Sequence, residues 1–485
     1  HLANKNDITK SVCKIANCAD TTLVDREFTS LNDAIAAVGN NNTLIELLDE
    51  VSLGNIQTIG NAQNITIDNN NKKVYAYREN TFENNGTFRI QNLNIPEGEN
   101  AVGYRAVYTR LVNNNNNFTI GSGTYIYAYK ITDTHNTIVN NDGKVMAIEP
   151  HALIEGAGAG RVIYNEGVIN SGGDFKGDNS FSRVYQLVMI YNTKELNTTE
   201  GTFTLTGYNV CGIKNEGEGE IDVDSTTFKF DGIYSDNTIN DGKPLGSAIY
   251  NNTNKPGNIV KDSIFKSNTE EGTVEEQRAQ GIYVKNTSNG RLVFDNLGAN
   301  VDTLVENDGE LYISNSNADP NAGIEINFNH IVSDGGKTYI DDVVMNTINN
   351  NGQIDLTNEA EITITNTTLN AHIIAEDASK VNIVDSTVYV LEGNAIDANN
   401  STIKVVDRSD VRGAKYAIAG VNNSTIELGK NERYYPIPKE ENTELYNKYL
   451  GKAKSLKNVY YLCCYTEKSI AQVSLKIFGA GRNSM

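Results

Sequence analysis

One short turn recurs along this chain. Asn84-Asn85-Gly86, Asn141-Asp142-Gly143, Asn165-Glu166-Gly167, Asn215-Glu216-Gly217, Asn307-Asp308-Gly309 and Asn350-Asn351-Gly352 are each Asn, a polar residue, then Gly. Alternating β-formers follow every one within a few residues. Asn141 to Asn165 spans 24 positions and Asn192 to Asn215 spans 23. A period near 20–25 residues, built of short strands and polar turns, defines a solenoid whose core grows along one axis. Asn makes up about 14% of the chain and there are 41 glycines. Both residues enter left-handed turn conformations at little steric cost, and a helical repeat would not tolerate so many of them. Leucine-rich repeats share the period, but their Leu-x-x-Leu-x-Leu frame is missing. Disorder is excluded because Ile, Val, Leu, Phe and Tyr recur at short, regular intervals.

The expected fold is therefore all-β: a right-handed, single-stranded parallel β-helix of about 15 coils, stacked at roughly 4.8 Å per coil. Each Asn-x-Gly is a corner of a coil. Asn is expected to pair with Asn one coil above, as amides do in stacked cross-β arrays, with Gly taking backbone conformations that branched residues avoid. Residues 1–27 read as a polar lead-in and 28–62 as an N-terminal cap with the first strands. Within the cap, Thr29 or Ser30 starts a short helix carrying Leu31, Ala34, Ile35 and Val38 on one face. Residues 63–430 form the β-helix and 431–485 a C-terminal cap or tail, helix-like from about 440 to 457. The tail holds nine Lys or Arg against five acids, leaving −24 on residues 1–430 out of a total of −20.

An acidic body argues against a nucleic-acid partner, which needs a basic face. No stretch of 18 apolar residues is present, so no membrane span is expected. The chain begins at His1, which reads as a processed form or a fragment. Cys13 and Cys18 could close a small loop if the chain is exported; otherwise the cysteines read as buried or free thiols.

The search for chemistry finds weak signals. Asp341-Asp342, the only Asp-Asp pair, is the candidate for a general acid/base couple, with one carboxylate facing out and the other marking a corner. Asp222 and Asp224 alternate on one strand and so face the same side, where calcium is the one cofactor they could hold with acids of neighbouring coils. The five histidines are scattered, and "GAGAGR" at 156–161 lacks the Lys-Ser/Thr ending of a phosphate loop and reads as a tight turn.

Ile163-Tyr164-Asn165, Ile190-Tyr191-Asn192 and Ile249-Tyr250-Asn251, with the downstream "GDFKGD" and "SIFKSN", resemble the repeats of autotransporter passenger domains and other adhesin-like bacterial surface proteins. The opening "FTSLNDAIAAVGNNNTLIELL" is similar to the entry segment of pectin-lyase-like β-helices. The resemblance covers residues 28–430 and implies a secreted or cell-surface β-helical rod, acting as an adhesin or structural protein. Its partners would be a host surface, a glycan or another cell-surface protein. The competing expectation is a polysaccharide lyase or glycoside hydrolase of the tailspike kind. It requires carboxylates and a basic group to meet on one face.

Overall fold

Residues 160–179 show how one turn of the structure is built. Gly160–Asn165 is a strand with Val162, Ile163 and Asn165 buried. The corner Glu166-Gly167 leads into Val168–Ser171, where Ile169 and Ser171 point in and Asn170 points out. A second corner at Gly172-Gly173 leads into Asp174–Asn179, with Phe175, Gly177 and Asn179 inside. Alternation on the second and third strands follows from the two-residue period of the pleat; on the first it breaks at Val162-Ile163, both buried. Every strand then pairs in parallel with its counterpart in adjacent turns: Leu153 with Asp174, Val168 with Glu195, Ile163 with Ile190.

The computed structural model describes residues 10–77, 81–131, 135–179, 186–207, 209–230, 246–267, 282–316, 325–348 and 352–429, with short strands at 433–434, 464–466 and 474–477. The chain is an all-β parallel β-solenoid of about 14 turns with one short helix. That is close to the 15 coils that the turn period suggests. Two compact units divide it, His1–Ile249 and Tyr250–Met485.

In the first unit three sheets surround the core. Sheet A contains Val74–Ala76, Tyr104–Val107, Tyr125–Ile131, Leu153–Gly158 and Asp174–Asn179. Sheet B contains Phe82–Asn84, Val112–Asn114, Asn136–Asn140, Gly160–Asn165, Leu187–Asn192 and Val210–Asn215. Sheet C contains Asn64–Asp68, Thr87–Gln91, Asn117–Ile120, Val145–Ile148, Val168–Ser171 and the first part of Glu195–Gly207. Exact register stacks like on like inside. Phe175, Phe203 and Phe228 form a column with ring centroids 4.5 and 5.0 Å apart. Such offset stacks add about 0.5–1.5 kcal/mol per pair beyond burial. The second unit repeats the three-sheet plan, and there Phe265 meets Phe294 edge-on at 6.1 Å.

The N-terminal end is closed by a different motif. Helix α1, Leu31–Ala37, is capped by the Ser30 hydroxyl, which accepts from the Asp33 N–H at 3.1 Å. Leu31, Ala34, Ile35 and Val38 are buried, the face that the sequence spacing predicts. Cys13–Cys18, inside the stretch read as a polar lead-in, is a strand antiparallel to Glu27–Phe28 and Asn42–Leu47. Cys13 and Cys18 are free thiols, and Cys13, Cys18 and Cys211 are all buried. A strand between the first two holds them roughly 16 Å apart, beyond the reach of a disulfide. Burial, with the nearby Asp33 charge, pushes the Cys13 thiol up to about 12.

Parallel pairing runs past residue 430. Arg433–Tyr434, Cys464–Thr466 and Ser474–Ile477 add to Asp410–Gly413, Tyr416–Val421 and Thr425–Leu428. The helix expected at 440–457 lies outside the described residues. Among the described residues no helix is long and apolar enough to cross a membrane.

Candidate functional site

The recurrent asparagines form a buried column. In the first unit Asn84, Asn114, Asn140, Asn165, Asn192 and Asn215 are fully inaccessible. Each Nδ2 donates to the Oδ1 of the next at 2.7–2.9 Å. In the second unit Asn251, Asn286 and Asn307 continue the pattern at 2.9 and 2.8 Å. Asn307 ends it by donating to the Thr338 hydroxyl at 3.0 Å. Beyond it the same inward position is Ser333, then Leu356, Ala375, Ala398 and Gly420. The column confirms the expected Asn-on-Asn pairing and places Asn84, Asn165, Asn215 and Asn307 in it.

Two corrections follow. The column member in its turn is Asn140; Asn141 sits outside, donating to Asn113 Oδ1 at 2.9 Å and to Asn115 Oδ1 at 2.7 Å. Asn350 lies outside the described residues. The glycines also divide by cause. Gly143 and Gly217 have φ of 68° and 65°, the left-handed conformation expected of them. Gly86, Gly167, Gly309 and Gly352 are not among the residues with positive φ. A Cβ on Gly167 would lie 2.2 Å from the Lys144 carbonyl oxygen, and one on Gly309 would lie 2.3 Å from that of Gly290. One on Gly86 would meet the Gly60 oxygen at 2.3 Å, and one on Gly352 the Thr347 methyl at 2.3 Å. At Gly86, Gly167 and Gly309 close approach of the neighbouring turn's backbone demands glycine, not torsion. Register explains the split. Asn165 is followed after two residues by Val168, which pairs with Val145. Asn140 reaches Val145 only after four residues, so that longer corner needs a left-handed residue.

Asp341 ends the strand Lys337–Asp341 and pairs between Ser314 and Thr365. Asp342 turns the corner with φ of 56°, and both residues are exposed. It belongs to a column of left-handed corners in the second unit: Asp262, Asn296, Asp342, Asn366, Asp385 and Asp407. The acid pair is thus explained by backbone geometry, because Asp and Asn tolerate that region better than other side chains with a Cβ. Asp222 and Asp224 do face the same side, in register with Asn197 and Thr199. The Ser225 hydroxyl donates to Asp224 at 2.8 Å. Among the described residues no three His, Cys, Asp or Glu side chains converge as a metal ion would need. "GAGAGR" is a corner between two strands, with φ of 116° at Gly158 and 125° at Gly160.

Register gathers side chains that the sequence leaves apart. On sheet A of the first unit Tyr75, Arg105, Tyr127, Glu155 and Lys176 stand one per turn in a single outward line. Tyr125 and Tyr129 flank Tyr127 on its strand, and Tyr77 flanks Tyr75. The Tyr125 and Tyr127 rings lie 9° from parallel at 6.3 Å, and those of Tyr75 and Tyr77 2° from parallel at 6.0 Å. Arg105 stacks over Tyr127 and Tyr129 at 5.7 and 5.2 Å. The Tyr125 hydroxyl donates to Glu155 Oε2 at 2.8 Å, and Lys176 pairs with Glu155 Oε1 at 3.4 Å. Burial first, then the Glu155 carboxylate, raises the Tyr125 phenol above its ordinary range, and the same causes act on Tyr127. Both therefore stay neutral phenols at physiological pH. Beside Tyr125 a cleft of about 570 Å³ is bounded by Asn92, Leu93, Ile95, His151, Leu153 and Glu155.

Two smaller clusters lie elsewhere. On sheet B of the first unit Arg161 stacks over Tyr191 at 3.9 Å and over Tyr164 at 5.2 Å. Burial, then a hydrogen bond to Glu216, raises the Tyr191 phenol to about 12. In the second unit His372 Nε2 lies 2.8 Å from Asp397 Oδ2, and Asn394 donates to the other carboxylate oxygen at 2.6 Å. Burial pushes the Asp397 carboxyl up, but those two hydrogen bonds and the charges of His372 and Lys415 hold it below its usual range.

The sheets and corners define the chain as a parallel β-solenoid with an internal asparagine column. Compared with known proteins, it matches no family model, and no curated protein and no solved structure is significantly similar to it.

Proposed function

We propose that this chain is a β-helical binding or structural protein acting outside the cell, of the adhesin kind, with the autotransporter-like repeats as its display scaffold. The observation that carries the reading is the outward row Tyr125, Tyr127 and Tyr129 of sheet A, presented on a strand whose main chain is already paired to both neighbouring turns. A rigid, fully hydrogen-bonded support that offers aligned aromatic rings is built for recognition, since aromatic anchors supply large contact area at low entropic cost. The acidic body and the Ile-Tyr-Asn repeats support surface exposure.

The test is attachment. Purified, fluorescently labelled protein is incubated with host epithelial cells and with immobilised extracellular matrix, and saturable binding is the expected result. Sustained release of unsaturated products or new reducing ends from a polysaccharide, lost on Asp341→Ala or Asp342→Ala, would replace this reading with the enzymatic one.

A further inference from the structure

We propose that the cleft beside Tyr125, with the tyrosine strip that leads away from it, is a binding site for a neutral oligosaccharide; this rests on the binding-protein reading and names its ligand class. Four observations converge on it. The cleft, about 570 Å³, has the size of a small-ligand site and mixes apolar with polar walls. Leu93 and Ile95, 63% and 37% exposed, form one side, and the polar groups around it include Asn100, Ser122, His151 and Glu155. His151 stands at the exposed corner before Leu153, with a left-handed φ of 66°.

Tyr127 and Tyr129 follow Tyr125 at alternate positions of the same strand. The Tyr125 and Tyr127 rings lie 9° from parallel at 6.3 Å and the Tyr129 ring is tilted 36° from Tyr127 at 5.5 Å, a row of aromatic rings for successive sugar rings. A pyranose has an apolar C–H face that lies on such a ring and an equator of hydroxyls for Glu155, the exposed Asn100 and the phenols.

Charge selects against ionic ligands. Lys176 is paired with Glu155, and Arg105 stacks on Tyr127 and Tyr129. With Asp178 near Tyr127, the strip sets Arg105 and Lys176 against Glu155 and Asp178, a balanced charge inside a strongly acidic chain, which repels polyanions. An extended peptide could not add as an extra strand, because Tyr125–Ile131 is already bonded to Tyr104–Val107 and to Leu153–Gly158.

The experiment titrates the full chain with cellohexaose, maltohexaose, mannohexaose and chitohexaose, read by saturation-transfer NMR and calorimetry. At least one is expected to bind saturably, and Tyr127→Ala to weaken it by about tenfold, as loss of an anchor ring does. Leu93→Ala changes an exposed wall without touching the core and is expected to weaken binding several-fold. Tyr312→Ala, in the second unit, is expected to leave it unchanged. No saturable binding by any of the four, or binding indifferent to both Tyr127→Ala and Leu93→Ala, overturns the site. Cell attachment without binding of any of the four oligosaccharides removes this site and leaves the binding-protein reading intact. Oligosaccharide binding without any cell attachment does the reverse.

Discussion

Asn165 Nδ2 lies within hydrogen-bond distance of three oxygens: Asn192 Oδ1, the Glu195 carbonyl and the Gly167 carbonyl. Its Oδ1 accepts from Asn140 and from the Gly167 N–H. With no water access, removing this amide strands groups on both sides, each at about 1–3 kcal/mol. Asn165→Ala is therefore expected to lower stability by about 2–4 kcal/mol in urea unfolding. Asn141→Ala, one residue from the column in its own turn but outside the core, is expected to cost about 1 kcal/mol or less, because water replaces its partners. The two glycine classes separate in the same assay. Gly217→Ala costs only the left-handed backbone, about 1–2 kcal/mol, and Gly217→Asn recovers most of it. Gly167→Ala costs more and is not rescued by Asn, since its Cβ would strike the Lys144 carbonyl.

At the scale of single elements, sheet C of the first unit is fastened by a clamp that skips a turn. Arg89, on Thr87–Gln91, reaches past Asn117–Ile120 to bind Glu149 through both carboxylate oxygens. The Ser122 N–H also donates to Glu149 at 3.0 Å. The Arg89 hydrogen bond is the largest cause holding the Glu149 carboxyl below its usual range. A depressed folded pKa contributes stability that is complete above the unfolded value, about 4.3, and is lost as pH falls through the folded one. Glu149→Gln is expected to lower the urea midpoint at pH 7 and to narrow its gap from the wild type as pH drops below about 4. An unchanged gap across that window would remove the clamp from the argument. The sequence could not reveal this contact, because 60 residues separate its partners. What it did reveal has the same physical root as what it hid. Alternation and turn chemistry are local, so α1 and the Asn corners were legible. Asn140 against Asn141 was not, since facing depends on the length of the corner that follows. Asp342 looked like chemistry because its left-handed column appears only when turns are aligned. The outward line of sheet A is illegible for that reason too: Tyr75 and Arg105, or Tyr127 and Glu155, become neighbours only through register.

Across a whole unit, each turn pairs mainly with the turns beside it, as in other solenoids. Asn140 and Asn165 are 25 residues apart and occupy one column position in successive turns. Deleting 141–165 removes one strand from each sheet and lets Asn140 take the short corner Glu166-Gly167. The shortened chain is expected to keep a cooperative unfolding transition with a smaller denaturant slope, as less surface is exposed. Loss of that transition, measured by circular dichroism in urea, would contradict the turn-by-turn account.

The asparagine column also has a mechanical consequence. Its bonds join turn to turn, whereas the covalent chain runs around each turn. Tension applied across the turns of the first unit therefore loads the ladder and the column in the direction in which they open, one turn at a time. A turn of 25 residues, such as the one between Asn140 and Asn165, would pay out roughly 85 Å of chain as it yields. A tether of this kind lengthens in steps under pull, shedding its outermost turn while those behind it remain wound.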